Sequence, residues 1–214
     1  MKRFLLTLLL VVFAVSTVLF GTGCNGGGAA QTIEVPTGWK QFSSADFELY
    51  LPEQWEGGSE EELQNIIDIL RQEGQIELAS QVEAGIPYML FWGYDSDTAV
   101  LSDTLTNVNI GSESASFTSL EKYMEIGYDQ MADTYAQMGY VFTILEQDIT
   151  SIGYHKEVGR TLVSEEAAGF EVRMAQYIVK SGNDFWIITF TTSPEEFNQY
   201  IANFDKAVET FILK

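Results

Sequence analysis

The stretch between Tyr140 and Thr192 leaves the chain the fewest choices. Four strand-like runs, at residues 140–149, 156–163, 170–180 and 185–192, follow one another with only short connections. Connections that short cannot hold the crossover that parallel neighbours need, so these strands pair antiparallel. Gly182 and Asn183 form a two-residue turn that joins the last two as a hairpin. Further runs at 47–51, 88–94 and 105–110 extend the count.

Three amphipathic helices accompany the strands. Ser59 and Glu62 have capping-box spacing, and Leu63, Ile66, Ile67 and Leu70 fall at helical spacing until Gly74; Ile76, Ala79 and Val82 continue it. Thr118 and Glu121 repeat the device before Leu120, Tyr123, Met124, Gly127, Met131, Tyr135 and Met138, with Gly139 as the stop. Ser193, Pro194 and Glu196 open a third helix, whose apolar face is Phe197, Tyr200, Ile201, Phe204, Val208, Phe211 and Ile212. No internal repeat is present. These elements predict an α+β fold, a central antiparallel sheet of about six to eight strands flanked by helices in an α/β/α sandwich.

The N-terminus carries an address. Lys2 and Arg3 precede an apolar run over residues 4–20, then Gly21, Thr22, Gly23 and Cys24. The arrangement resembles the bacterial lipoprotein signal, although Gly21 stands where that signal usually has leucine. The resemblance implies cleavage after Gly23 and a covalent lipid on Cys24, with no other cofactor. An uncleaved membrane helix is the competing reading, since about 17 apolar residues make a short span. Either way the remainder lies on the extracytoplasmic face of a bacterial membrane. Residues 25–32, with three consecutive glycines, read as a spacer. The expected organisation is a signal peptide at 1–23, a lipid-anchored linker at 24–38 and one domain at 39–214.

Composition narrows the function. Loss of residues 1–23 would leave 191 of 214, enough for one core, and 46% hydrophobic residues can fill it. With 31 acidic against 11 basic residues, the surface repels nucleic acid and anionic headgroups. Cys24 is the only cysteine and His155 the only histidine, which excludes an internal disulfide and multi-histidine metal sites.

A family resemblance covers residues 39–214. Trp39-Lys40-Gln41-Phe42, the run from Asp46 to Pro52 and Trp55 resemble the opening of PsbP-like proteins; Thr106 to Ile110 resembles their central strand. Tyr177 to Phe190, then a helix closing on Phe204 and Phe211 to Leu213, resembles their end. The resemblance implies the sheet-and-helix fold of the Mog/PsbP group and kinship with bacterial lipoproteins of the LpqN or DcrB kind, which bind or support other proteins. Plant PsbP proteins lack the helical stretch at 59–84, so their photosystem role does not carry over.

Possible reactive groups are few. The run into Asp95, Asp97 and Thr98 has the carboxylate pair of a dehalogenase-type phosphatase, but that chemistry needs a parallel sheet. Asp95, Asp97 and Asp103 are a weak calcium set without the glycine and glutamate of an EF-hand, and a solvated loop at a strand end is the simpler reading. His155 is read as an exposed turn residue. Tyr123, Tyr128, Tyr135, Met124, Met131 and Met138 are read as sheet-packing residues, with partner docking as the alternative. Trp39, Trp55, Trp92 and Trp186 are read as core residues. No nucleophile elbow or phosphate-cradling loop is present. The expectation is a non-enzymatic, membrane-anchored binding or assembly module for another cell-envelope component; the alternative is a lipoprotein that captures a solute or calcium, and an acid-dependent hydrolase rests only on abundant carboxylates.

Overall fold

The computed structural model describes residues 33–214, except 58–59, 73, 75, 77–78, 81–82, 84–85, 99–103, 117 and 168–169. In chain order the elements are β1 (Trp39–Ser43), β2 (Phe47–Pro52), β3 (Trp55–Gly57), α1 (Glu60–Gln72), β4 (Met89–Asp95) and β5 (Asn107–Ser114). There follow α2 (Leu120–Gln137), β6 (Val141–Ile152), β7 (His155–Ala167), β8 (Phe170–Ser181), β9 (Asp184–Thr192), α3 (Phe197–Glu209) and β10 (Ile212–Leu213).

Seven strands form one sheet in the order β3-β4-β5-β9-β8-β7-β6, and β1-β2-β10 form a small second sheet. Every pairing is antiparallel, as the short connections require. Gly153 (φ 58°) and Gly182 (φ 63°) supply the left-handed residues in the β6–β7 and β8–β9 turns. The meander from β6 to β9 then closes on β5, and α2 carries the chain from β5 to the far edge at β6.

The register assigns each side chain to a face. Thr161, Gln176, Thr189 and Asn109 lie in one row across β7, β8, β9 and β5, and this row lies beneath α2. Their neighbours Leu162, Ala175, Tyr177, Ile188, Phe190, Val108 and Ile110 point the other way, into a core closed by α3 and the small sheet. Phe204 of α3 stacks on Phe190 with centroids 4.4 Å apart, and Phe47 of β2 meets Phe91, Trp186 and Phe211. On the α2 face, Leu120, Tyr123, Met124, Tyr128, Met131 and Tyr135 cover Ile178, Phe185 and Ile187. Beside them α1 places Leu63 and Ile67 against Trp92 and Leu105.

Helix starts differ from the expected ones. Ser119, not Thr118, caps α2, its hydroxyl accepting from the Lys122 N–H at 3.2 Å. The third helix begins at Phe197: Ser193 holds a preceding turn by accepting from the Glu196 N–H at 3.3 Å. The apolar face ends with Val208 in the helix, while Phe211 enters the core after it and Ile212 joins β10. Ser59, the expected cap of α1, lies outside the described residues.

Candidate functional site: the groove between helix α2 and edge strand β6

Of the aspartates singled out in the sequence, Asp95 does not lie in a solvated loop. Asp95 is fully buried at the end of β4, where it accepts from the Tyr200 hydroxyl of α3 at 2.8 Å, from Gln54 Nε2 at 3.3 Å and from the Asp97 N–H at 3.0 Å. It ties β4 to α3, a role that an exposed strand-end loop would not serve. Asp97 is exposed, and Asp103 and Cys24 lie outside the described residues. Among the described residues no three acidic, histidine or cysteine side chains converge on a point that would hold a metal ion.

His155 is buried, not exposed. The first residue of β7 turns its ring inward, where Nε2 meets the Phe211 carbonyl at 2.9 Å and Tyr154 lies against it. Burial pulls the imidazole below its ordinary value, and the Phe211 contact only partly restores it. Trp55, Trp92 and Trp186 are buried and Trp39 packs against the main core. The tyrosines of α2 are committed as well: Tyr123 stacks on Phe185 and donates to Glu113, and Tyr128 donates to Gln176 at 2.7 Å.

Beneath α2 the sheet surface is polar where a core is usually apolar. Gln176 passes its own amide hydrogen to Thr189 at 3.0 Å and Thr161 lies by the Tyr128 hydroxyl, while Thr191, Tyr135 and Glu165 bury side-chain oxygens without a well-formed hydrogen bond. Glu165 is 1% exposed, and Tyr135 faces its carboxyl without a well-formed bond. Burial pushes this carboxyl up to about 8, so it is neutral at physiological pH. The sequence hides the feature because the central stretches of these strands are buried on both faces and their alternation is lost. A clue was the recurrence of Thr161, Gln176 and Thr189 inside otherwise apolar runs.

The polar row ends at an opening. Gln147 of β6 pairs with Thr161 and lines a groove of about 310 Å³ between β6 and α2. Glu121, Glu125 and Asp129 stand one turn apart along the helix side, Met124, Tyr128, Ile144 and Ile149 supply apolar lining, and Asp148 completes it. The N–H of Glu121 itself and then the Ser119 hydroxyl hold the Glu121 carboxyl below its usual range, so this carboxylate stays ionised in mildly acidic solution. Lys122 meets Glu125 at 2.8 Å, an exposed pair of small energetic weight.

The outer wall of the groove is an edge. Among the described residues β6 pairs only with β7, and its side chains stay accessible: Val141 58%, Leu145 48%, Ile144 41% and Ile149 36%. The ladder slips between Ile144 and Glu146 and again between Thr150 and Ile152. Long exposed edges with apolar side chains are templates for another strand unless something covers them. Periodicity located this strand but could not show which of the seven would lie at the edge.

Comparison with known proteins bears on the fold. No protein-family profile and no curated protein sequence matches the chain. Among solved structures, cyanobacterial PsbP (CyanoP) from Synechocystis sp. PCC 6803 superposes with a TM-score of 0.57 at 11% identity, covering 90% of this chain and 98% of that one. LpqN of Mycobacterium tuberculosis, described as involved in cell envelope biogenesis, superposes with a TM-score of 0.50 at 8% identity, covering 82% and 90%. At such identities shared architecture is the finding: an antiparallel sheet enclosed by helices, traced over nearly the whole of the cyanobacterial protein, gives this chain the PsbP-like fold.

Proposed function

We propose that the chain is a membrane-tethered, extracytoplasmic module that binds another component of the cell envelope and catalyses no reaction itself. The open edge of β6 beside an acidic groove is the observation that carries this reading: it is a surface built for contact. The buried polar groups support it differently. Asp95, Tyr128, Gln176 and His155 are each bonded within the fold, which is how structural polar groups behave. The architecture shared with LpqN, a protein described as acting in cell envelope biogenesis, favours an envelope setting.

The tether in this reading is a lipid on Cys24, held by two or three acyl chains, because one alone binds a bilayer only marginally. No helix among the described residues is long and apolar enough to cross a membrane. Mass spectrometry of the N-terminus of the protein from membranes should find Cys24 acylated, and Cys24→Ser should lose both the lipid and membrane recovery. Crosslinking in intact cells should recover an envelope partner reproducibly above a mock control. An unmodified Cys24 would sink the tether, and an empty crosslinking result would sink the binding role.

A further inference from the structure

We infer that the groove between α2 and β6 takes an extended basic segment of a partner protein, added to β6 as a further strand; this rests on the binding-module reading above. Three properties of the groove select that occupant.

Backbone comes first. The far side of β6 from β7 carries main-chain N–H and C=O groups with no strand against them among the described residues, and strand addition satisfies such groups in one step. The two slips in the ladder bound a regular stretch from Glu146 to Thr150. That stretch offers a docking length of about 17 Å, five residues of strand.

Spacing comes second. Glu121, Glu125 and Asp129 line the groove at successive four-residue steps of α2, which places them about 6 Å apart along the helix. Alternate side chains of a strand lie about 6.8 Å apart on one face. Basic residues at i, i+2 and i+4 of an added strand therefore keep step with the three carboxylates. Their aliphatic stems would lie over Ile149 and Met124, with the charged heads at the rim.

Charge comes third, and it decides against the obvious competitor, a second copy of this chain. A second β6 would bring its own Glu146 and Asp148 against the same residues, in a protein of net charge −20. Like charges across a strand pair are destabilising. The edge thus resists self-pairing while its apolar side chains remain available to a cationic strand.

The test uses the detergent-solubilised full chain and three nine-residue probes: an alternating Lys-Val peptide, an alternating Glu-Val peptide, and the Lys-Val peptide with a central proline. The Lys-Val peptide should shift and slow the exchange of backbone amides at residues 146–150, and bind at least about tenfold more tightly than the proline form, which cannot complete the ladder. Combined Glu121→Gln, Glu125→Gln and Asp129→Asn substitutions, all at exposed positions and neutral isosteres that keep the hydrogen-bonding shape at the start of α2, should weaken that binding at least about tenfold while moving the unfolding midpoint little. Equal binding of the Glu-Val or proline peptide, shifts confined to another surface, or sedimentation of the chain as a β6-paired dimer would each overturn the inference. The two levels separate in cells: an envelope partner crosslinked equally by the wild type and the triple variant leaves the binding module standing and removes the groove. A partner recovered by neither removes the binding module, and the groove inference with it.

Discussion

On the α3 side of the seven-stranded sheet the interior is made of rings and branched chains: Trp55, Tyr177 and Phe204 each meet Phe190, and Phe211 meets Phe47 and Trp186, among Val108, Ile110 and Ile188. On the α2 side the same strands present Asn109, Thr161, Glu165, Gln176, Thr189 and Thr191 beneath a helix of tyrosines and methionines. On this side Tyr135, Glu165 and Thr191 hold buried oxygens without a well-formed hydrogen bond, whereas Trp55 Nε1 is such a group on the α3 side. One face is secured by close packing and the other is weakened by incomplete polar satisfaction, and it is the second that opens into the acidic groove. Local opening should therefore begin at α2, with α3 holding until global unfolding.

The most direct way to break this comparison is to damage the strong face. Phe204→Ala removes a fully buried ring stacked on Phe190 and should cost about 3–5 kcal/mol in urea unfolding. Met131→Ala, the matching truncation under α2, should fall near the lower end of the range for such changes, about 2 kcal/mol, because the surroundings relax more easily. Equal losses at the two sites would erase the distinction.

Glu165 sharpens it. Unfolded, the carboxyl titrates near 4.5; folded, burial raises it to about 8. The folded state therefore holds a proton that the unfolded chain releases. Its contribution to stability is complete below about 4.5 and is lost as pH rises toward 8, at about 1.4 kcal/mol for each pH unit between the two values. Glu165→Gln keeps the shape and cannot ionise. Its stability relative to the wild type should improve by a few kcal/mol between pH 5 and pH 8.5 in chemical unfolding. A constant difference across that range would mean that Glu165 is ionised and accommodated in the fold.

A smaller effect belongs to Tyr128→Phe, which removes the donor to Gln176 and leaves a buried amide oxygen short of a partner. The loss should be about 1–2 kcal/mol, and amide exchange should quicken in α2 more than in α3. Uniform quickening across both helices would argue that the two layers open together.

These contrasts also mark how far the sequence could be read. The meander from β6 to β9 was legible because tight turns leave antiparallel pairing as the only geometry, and α3 was legible because its apolar residues keep helical spacing. Strands β1, β3 and β10 were not, since runs of five, three and two residues are too short for alternation to register. The capping position of α2 moved by one residue because Thr118 and Ser119 are both competent caps and only the geometry chooses between them. The groove was invisible for a different reason: its lining comes from α2 and β6, and nothing local to either segment states that β6 ends the sheet. The expectation of an exposed His155 failed because adjacency to a turn says nothing about the direction in which a ring points.

That histidine supplies the smallest and most discriminating test. It belongs to the α3 side through its contact with Phe211, and its perturbation has the opposite sign to that of Glu165. An unfolded imidazole takes up a proton near 6.5, whereas the buried ring of His155 does so only at lower pH. Its contribution to stability is complete above about 6.5 and is lost as pH falls from there through the lowered folded value. His155→Gln cannot be protonated, so the wild type should lose stability relative to this variant on going from pH 7 to pH 5. Measured in a Glu165→Gln background, the slope should stand alone with the opposite sign to the one removed at Glu165. No slope would mean that the ring is solvated in the folded state and that the α3 face is less tightly closed than its packing implies, and a slope of the same sign would mean that the fold stabilises the imidazolium instead.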